Sequence, residues 1–227
     1  MNQESKNVET KIEDRTLQVN EIFYSLQGEG HRAGTANVFI RLQGCKAKNA
    51  CLAHGIECDT EFESGQTMTL AEILNKAVDL VGRYQTETGS NSHPGIIWTG
   101  GEPATQLDAE IISWFRLRLH NMTIQALETS GIFPIPENLD FVSVSPKCAE
   151  HVLRRNLGGV KISELRYVRH SGQAIPAPIL KADHYFLSPH SDGNQINAEN
   201  VRHCIDLVLK NPGWRLSTQQ HKTWGVI

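Results

Sequence analysis

Three of the five cysteines lie close together in the chain, at Cys45, Cys51 and Cys58, with the spacing C-x5-C-x6-C. Thiolates are good ligands for iron–sulfur clusters, and a four-iron cluster held by only three of them keeps one iron open for a cofactor. A structural zinc site usually contains a C-x2-C pair, which this segment lacks, although His54 could supply a fourth ligand. The spacing therefore leaves three alternatives open: an iron–sulfur cluster, a zinc site, or three thiols with no shared role.

The segment Gly100-Gly101-Glu102-Pro103 is a second candidate for chemistry, because it follows a short apolar stretch that is typical of a buried strand. Two glycines in succession allow the backbone to approach a ligand closely. The alternative is an ordinary turn from a strand to a helix, with Pro103 at the start of the helix.

Strands and helices alternate along the rest of the chain, which predicts an α/β fold with a mostly parallel sheet. Strands are predicted at 19–24, 37–42, 95–99, 123–129, 140–145, 165–170, 184–187 and 214–218. Thr69 and Glu72 have the spacing of a capping box and predict a helix of about 15 residues, and further helices are predicted at 103–120 and 198–210. The polar residues 1–16 are interpreted as a flexible N-terminal arm, and residues 17–227 as a single domain.

The composition is that of an ordinary globular protein, because 227 residues, of which 39% are hydrophobic and 21% charged, can bury a sizeable core. No apolar run approaches the roughly 20 residues of a membrane-spanning helix, and the net charge of -3 argues against an electrostatic nucleic-acid binder. The first residues are polar and lack the apolar core of a signal peptide. We therefore expect the protein in the cytoplasm, where thiols stay reduced.

Several short motifs follow one another in a particular order. They are SLQGEG (25–30), FIRLQGC (39–45), CDT (58–60), TGGEP (99–103), ETSG (128–131), SPK (145–147) and QQHKTWGVI (219–227). This series resembles the 7-carboxy-7-deazaguanine synthases, which are radical S-adenosylmethionine (SAM) enzymes of the queuosine pathway, and the resemblance runs from about Val19 to Ile227. The family commonly spaces its cysteines C-x3-C-x2-C with an aromatic residue before the last one. Here the loop is longer, and Glu57 precedes Cys58.

The resemblance implies a partial, modified (β/α) barrel of the radical SAM type, usually a homodimer. It implies that Cys45, Cys51 and Cys58 hold a [4Fe–4S] cluster, that SAM binds the open iron, and that Thr60 is a ligand of Mg2+. Contacts with SAM are implied for Glu57, Asp59, Gly101, Glu102, Ser145, Pro146, Lys147, Ser188, Pro189, His190 and Ser191. Contacts with the substrate are implied for Leu26, Gln27, Gly28, Glu29, Arg41, Thr99 and Ile227.

By the same resemblance, the protein is a carbon–nitrogen lyase of a tRNA modification pathway. It would contract the ring of 6-carboxy-5,6,7,8-tetrahydropterin to 7-carboxy-7-deazaguanine and release ammonia. SAM supplies the radical, so no side chain is assigned as catalytic. Arg41 would pair with the substrate carboxylate, although its alternating strand does not decide which face it occupies, and Gln27 and Glu29 would bind the pterin edge.

The implied partners are the pterin and an electron donor such as flavodoxin or ferredoxin, with no direct contact to nucleic acid or membrane. Two alternatives remain open. One is a radical SAM activase or another radical SAM enzyme with a different substrate, which would have no need of a pterin-binding turn around Gln27. The other is a non-enzymatic zinc-binding module, which would contain zinc without iron or sulfide.

Overall fold

A nine-stranded sheet runs through the part of the chain that this computed structural model describes, which is residues 12–53, 61–91, 93–119, 124–157, 159–193 and 195–226. Its order is β3-β1-β2-β4-β5-β6-β7-β8-β9. The strands are β1 (Thr16–Leu26), β2 (Ala36–Leu42), β3 (Gln66–Thr69), β4 (Gly95–Gly100), β5 (Gln125–Thr129), β6 (Phe141–Val144), β7 (Ile162–Arg169), β8 (Ala182–Pro189) and β9 (Arg215–Leu216).

Most of this sheet is parallel. Strand β1 is antiparallel to both of its neighbours, whereas each neighbouring pair from β2 to β9 is parallel. Within the described residues β3 and β9 form the two edges and do not pair with each other, so the sheet stays open. The prediction of an α/β fold on a mostly parallel, partly open sheet is confirmed.

The helices of the described residues connect these strands. They are α1 (Lys48–Ala53), α2 (Leu70–Thr88), α3 (Ala109–Arg118), α4 (Glu150–Asn156), α5 (Ala198–Lys210) and α6 (Gln220–Trp224), with a short 3-10 helix at Pro103–Thr105. The predicted capping box is present at the start of α2, because the Thr69 hydroxyl accepts from the backbone N–H of Glu72 and the Glu72 carboxylate accepts from that of Thr69. No helix in these ranges is both long enough and apolar enough to cross a membrane.

Alternating side chains on the strands pack into two separate apolar clusters. The larger cluster joins one face of the sheet to the helices, and includes Ile40, Trp98 and Leu127 from strands with Ile73 and Phe115 from helices. The smaller cluster consists of strand residues alone and lies on the opposite face, which we call the inner face: Phe23, Phe39, Ile97 and Ala126, with Phe141 packed against them. The inner face is therefore the side of the sheet that can form a binding site.

The structure corrects the predicted helix at 103–120, which is interrupted. A 3-10 helix ends at Thr105, and α3 begins only after Asp108, whose carboxylate caps it by accepting from the backbone N–H of Ile111. Two successive capping side chains, Glu102 and Asp108, thus divide the predicted helix into two. The sequence reading also missed β3, α1, α4 and α6.

The boundary of the predicted N-terminal arm also changes. Ile12 is buried in the larger apolar cluster, Arg15 forms ion pairs with Asp108 and Glu110, and Thr16 already belongs to β1. Residues 12–16 therefore pack against the domain. The rest of the predicted arm, residues 1–11, lies outside the described residues.

Candidate active site

One end of the sheet collects the carboxyl ends of its parallel strands, because neighbouring parallel strands point the same way. These strands are β2, β4, β5, β6, β7 and β8. The loops that leave this end carry most of the motifs that the sequence singled out. They border two adjoining cavities, whose walls share Glu29, Thr99, Glu128 and Gln219. These four residues form the boundary between the two halves of the site.

The first of these, the cysteine cavity, has a volume of about 250 Å3. Most residues predicted to hold the cluster or SAM line it, namely Cys45, Cys51, Gly101, Ser145, Lys147, Ser188, Pro189, His190 and Ser191. Pro146 borders a separate cavity of about 460 Å3 instead. The predictions for Glu57, Cys58, Asp59 and Thr60 fall outside the described residues.

The second, the tail cavity, has a volume of about 540 Å3. It brings together six predicted substrate contacts, which are Leu26, Gln27, Gly28, Glu29, Arg41 and Thr99. The seventh, Ile227, lies outside the described residues. Gln219, His221, Lys222, Gly225 and Val226 supply the remaining wall, so the C-terminal tail closes one side of this cavity.

The two glycines after β4 bring the cysteine loop against the sheet. A β-carbon at Gly100 would overlap the backbone of Leu42, and one at Gly101 would overlap the backbone of Gly44. Gly100 also has a positive φ of 132°, which favours glycine. The backbone N–H of Gly44 donates to the carbonyl of Phe62 (2.8 Å), so both ends of the cysteine loop are held at the edge of the sheet. The sequence suggested a close approach to a ligand, and the structure adds that the glycines also position Cys45.

Glu102 has a structural role in this arrangement. Its side chain is buried and lines neither cavity. Its carboxylate accepts from the Thr129 hydroxyl (2.6 Å), from the Ser130 backbone N–H (2.9 Å) and hydroxyl, and from the Ala104 backbone N–H (3.3 Å). Glu102 therefore ties the end of β4 to the end of β5, and its predicted contact with SAM stays a prediction.

The turn after β1 crosses the inner face and meets the tail. The Gln220 backbone N–H donates to the Gly28 carbonyl (3.0 Å), and the Gly30 N–H donates to the Ser217 hydroxyl (2.9 Å). A β-carbon at Gly28 would overlap the imidazole of His221. Glycine at this position therefore leaves room for the His221 side chain of α6 beside the turn.

An aromatic and cationic wall forms one side of the tail cavity. Arg41 shares the inner face with Phe39, and its guanidinium lies 5.2 Å from the centroid of the Phe23 ring. The Phe23 and Phe39 rings are stacked, with centroids 4.9 Å apart. Arg41 also lies 3.4 Å from the carboxylate of Glu21, an ion pair that is exposed on the Glu21 side. Arg41 therefore lies on the inner face, which the alternation of the strand did not decide. Its positive charge lies on the wall of the tail cavity.

Behind the boundary between the cavities, a buried arginine is surrounded by acidic groups. Arg166 donates to Glu29 and to Glu128, both at 2.8 Å, and lies 3.2 Å from Glu164. Burial by itself raises the pKa of Glu128, but the charge of Arg166 and hydrogen bonds from Thr99, Arg166 and Gln27 outweigh it, so that the pKa is lowered from its usual 4.5. Burial lowers the pKa of Arg166, and the three carboxylates more than reverse this.

Sequence reasoning missed several residues of the site. The sequence predicts Phe23 and Phe39 only as strand residues. Glu128 belongs to the ETSG motif, but no role was predicted for it. Arg166 had no signal apart from sharing a strand face with Glu164. Within the described ranges no group of three His, Cys, Asp or Glu side chains could hold a metal ion, since the third predicted cysteine lies outside them.

The fold defines a class of protein. The structure is similar to the crystal structure of QueE from Escherichia coli, with a TM-score of 0.61 and 21% sequence identity over 94% of this chain and 98% of that one. The present chain therefore shares the fold of QueE.

Curated relatives identify the family, although no protein-family model matches the chain. A 7-carboxy-7-deazaguanine synthase from Bacteroides thetaiotaomicron is 38% identical over 206 residues, which cover 90% of this chain and 95% of the relative. One from Bradyrhizobium diazoefficiens is 37% identical over 217 residues, covering 92% and 98%. This chain belongs to the 7-carboxy-7-deazaguanine synthase family, as the motifs predicted.

Gly28→Ala should displace the tail, because the new β-carbon would overlap His221. We expect faster amide hydrogen exchange over residues 219–226, measured by mass spectrometry, and a loss of the hydrogen bond from Gln220 to residue 28. Gly82→Ala is the matched control, since a β-carbon there meets open space. Unchanged exchange in the tail of the Gly28 variant would contradict the packing described here.

Glu128→Gln should lower the free energy of unfolding at neutral pH by about 2 kcal/mol, because Arg166 loses one of its charged partners. The folded-state pKa of Glu128 is depressed, so its contribution is present above about pH 4.5 and is lost as the pH falls through the folded-state pKa. The stability gap between wild type and variant, measured by urea unfolding, should therefore narrow below about pH 4.5.

The control for this measurement is Glu110→Gln, which removes an exposed carboxylate paired with Arg15 and should cost less than about 1 kcal/mol. If the difference in free energy of unfolding between wild type and Glu128→Gln stayed constant down to acidic pH, the charge of Glu128 would contribute nothing to stability.

Proposed function

We propose that this protein contracts the ring of 6-carboxy-5,6,7,8-tetrahydropterin to 7-carboxy-7-deazaguanine and releases ammonia, as a radical SAM carbon–nitrogen lyase in queuosine biosynthesis. The observation that carries the proposal is the shared boundary of the two cavities. A cofactor beside Cys45 and a heterocycle beside Gln27 would be neighbours across Glu29, Thr99 and Glu128. Family membership supports this choice over another radical SAM reaction.

The residues present fit an iron–sulfur cluster. Cys45 and Cys51 line the same cavity, and thiolates are the usual ligands of such clusters. We propose that these two residues and Cys58 hold a [4Fe–4S] cluster. When bound, the cluster and SAM would supply the reducing electron and the radical that removes hydrogen from the substrate. Ser145 and Lys147, on the wall of the cysteine cavity, present a hydroxyl and a positive charge suited to the polar and carboxylate groups of SAM.

The tail cavity suits a carboxylated heterocycle. Arg41 would bind the substrate carboxylate, since guanidinium groups pair well with carboxylates. The Phe23 and Phe39 rings present an apolar surface to a flat ring system. Gln27 and Glu29 would bind the amino and lactam groups of the pterin edge. The tail would help to shield the radical reaction from water, because it forms part of the cavity wall.

The finer parts of the proposal are expectations from the family. They are a Mg2+ ion held by Thr60 and substrate oxygens, a contact between Ile227 and the substrate, a homodimer, an electron donor such as flavodoxin or ferredoxin, and action in the cytoplasm. We also propose that the chain from Ile12 onward forms a single domain.

Anaerobic incubation of the reconstituted protein with SAM, dithionite and the carboxylated pterin tests the reaction. Mass spectrometry should detect 7-carboxy-7-deazaguanine. Cys51→Ala should lose the brown absorbance of the cluster and the product together, whereas Cys204→Ala should keep both, because Cys204 lies in the apolar core and burial raises the pKa of its thiol to about 11. A full four-iron cluster in Cys51→Ala would reassign the middle ligand, and zinc without iron or sulfide in the wild type would remove the proposal.

Arg41→Ala should raise the KM for the carboxylated pterin at least about tenfold, because a charge-assisted hydrogen bond to the carboxylate is lost. Arg116→Ala is the matched control, since Arg116 pairs with Asp140 and lines neither cavity. Steady-state kinetics under anaerobic conditions give both values. Equal KM values for wild type and Arg41→Ala would exclude Arg41 from the substrate site.

A further inference from the structure

Arg166 is the one residue of the described chain that contacts both acidic side chains of the boundary. Its Nη1 donates to Oε2 of Glu29, and its Nη2 donates to Oε1 of Glu128, each at 2.8 Å. The third nitrogen, Nε, donates to the Ser143 hydroxyl at 2.8 Å and lies 3.2 Å from Glu164. All three nitrogen atoms of the guanidinium are thus engaged, and its orientation is fixed.

The three carboxylates around Arg166 differ in what else they can bind. Glu164 is buried and fully engaged, since it accepts from the Ser143 hydroxyl (2.8 Å) and from the His31 backbone N–H (2.7 Å). Glu29 and Glu128 line both cavities. Oε1 of Glu29 accepts no hydrogen bond from the described residues, whereas Glu128 also accepts from Gln27 (3.1 Å) and Thr99 (3.0 Å). Arg166 therefore holds one oxygen of Glu29 and leaves the other for a ligand.

The charge of Arg166 and its hydrogen bond favour the ionised form of Glu128. Two or three carboxylates that share a desolvated site do not all stay charged unless a cation compensates them, and one of them takes up a proton. Arg32 is a second arginine near these carboxylates, but its guanidinium donates to the Asn37 side chain (2.5 Å), and burial lowers its pKa. Arg166 is thus the direct counter-charge.

The protonation state decides what Glu29 can recognise. An ionised carboxylate only accepts hydrogen bonds, so it suits a ligand edge that carries N–H donors. A protonated carboxyl would present its own O–H to those donors. The amino group and the lactam N–H of a pterin are two such donors on one edge, and two N–H···O bonds to a carboxylate are favoured by geometry and charge.

We propose that Arg166 is a positioning residue for the substrate, which holds Glu29 and Glu128 as ionised acceptors for the N–H groups of the heterocycle without touching the substrate itself. The inference rests on the proposed function for the identity of the ligand. Arg166 lies on the wall of the cysteine cavity and not of the tail cavity, so it acts on the ligand of the tail cavity through the two glutamates.

Several other titratable or charged groups face this cluster and set the background for its pH dependence. They are Arg32 from the turn, Arg41 from β2, Lys147 after β6, Glu164 from β7, His190 after β8, and His221 and Lys222 from the tail. The Arg166 variants keep all of these groups, so the contribution of Arg166 is measured as the difference between the variants and the wild type.

The test measures binding of 6-carboxypterin, a fluorescent oxidised relative of the substrate, to the reconstituted holoenzyme across the mildly acidic and neutral range. Arg166→Met should weaken binding at least about tenfold, and its binding should fall further as the pH drops through a range where wild-type binding changes little. Arg166→Lys keeps the positive charge but loses the planar guanidinium, whose two Nη groups donate to Glu29 and Glu128. It should weaken binding while keeping the wild-type pH profile.

Arg118→Met is the matched control, because Arg118 pairs with Glu13 and lines neither cavity; it should keep wild-type binding. If Arg166→Met binds the pterin as the wild type does, or loses affinity only in proportion to its folded fraction with an unchanged pH profile, the inference is wrong. Failure of the wild-type holoenzyme to bind or convert the pterin would overturn the proposed function, which separates the two failures.

A second comparison keeps the inference testable if Arg166→Met does not fold. Arg166→Lys and Glu29→Gln are measured singly and together. If Arg166 acts through Glu29, the joint loss of affinity should be clearly smaller than the product of the single losses, because both changes remove the same interaction. Losses that multiply would show that the two residues act independently, and would overturn the inference.

Discussion

The site depends on the register between β2 and β4, which ends both strands at the same level. Leu42 lies opposite Gly100, and the chain turns away immediately after each of them. Because Gly100 and Gly101 have no side chains, the backbone of the cysteine loop packs directly on this turn. A larger residue at either position would push Cys45 away from the sheet edge. The neighbouring strands then add their own loops at the same end of the sheet, and together these loops line the cysteine cavity.

The inner face is divided along the strands into an apolar and a charged part. Phe39, Ile97 and Ala126 pack together, and Arg41, Thr99 and Glu128 follow two residues later on the same face. Since side chains two residues apart on a strand share a face, each of these strands contributes one apolar and one polar residue to the interior. Buried charges need compensation, and Arg166 provides it for the acidic side. The apolar residues pack together and stabilise the sheet, whereas Arg41, Thr99 and Glu128 line the tail cavity, where they can bind a ligand.

Sequence reasoning recovered every strand except β3, mainly from β-branched and aromatic runs, and it recovered α2 from its capping box. It failed where the chain is short of such signals. Helix α1 has no apolar periodicity, and the break at Asp108 depends on a capping residue inside a segment that was predicted as one helix. In the site, motif residues such as Gln27, Arg41 and Ser145 lie in the cavities. Arg166 was missed because its partners come from β5 and the turn after β1, which only the fold brings together.

The C-terminal tail connects parts of the site that are far apart in sequence. It contacts the turn after β1 through Gly28, the Ser191 hydroxyl donates to the Gln219 side chain (2.7 Å), and the Lys222 ammonium donates to the Gly193 carbonyl (2.7 Å). Gln219 belongs to the walls of both cavities. A displacement of the tail would therefore open the tail cavity to solvent and also remove part of the boundary with the cysteine cavity. The same segment thus lines the tail cavity and forms part of the boundary between the two halves of the site. Its first residues are held against the turn after β1 by the close contact with Gly28.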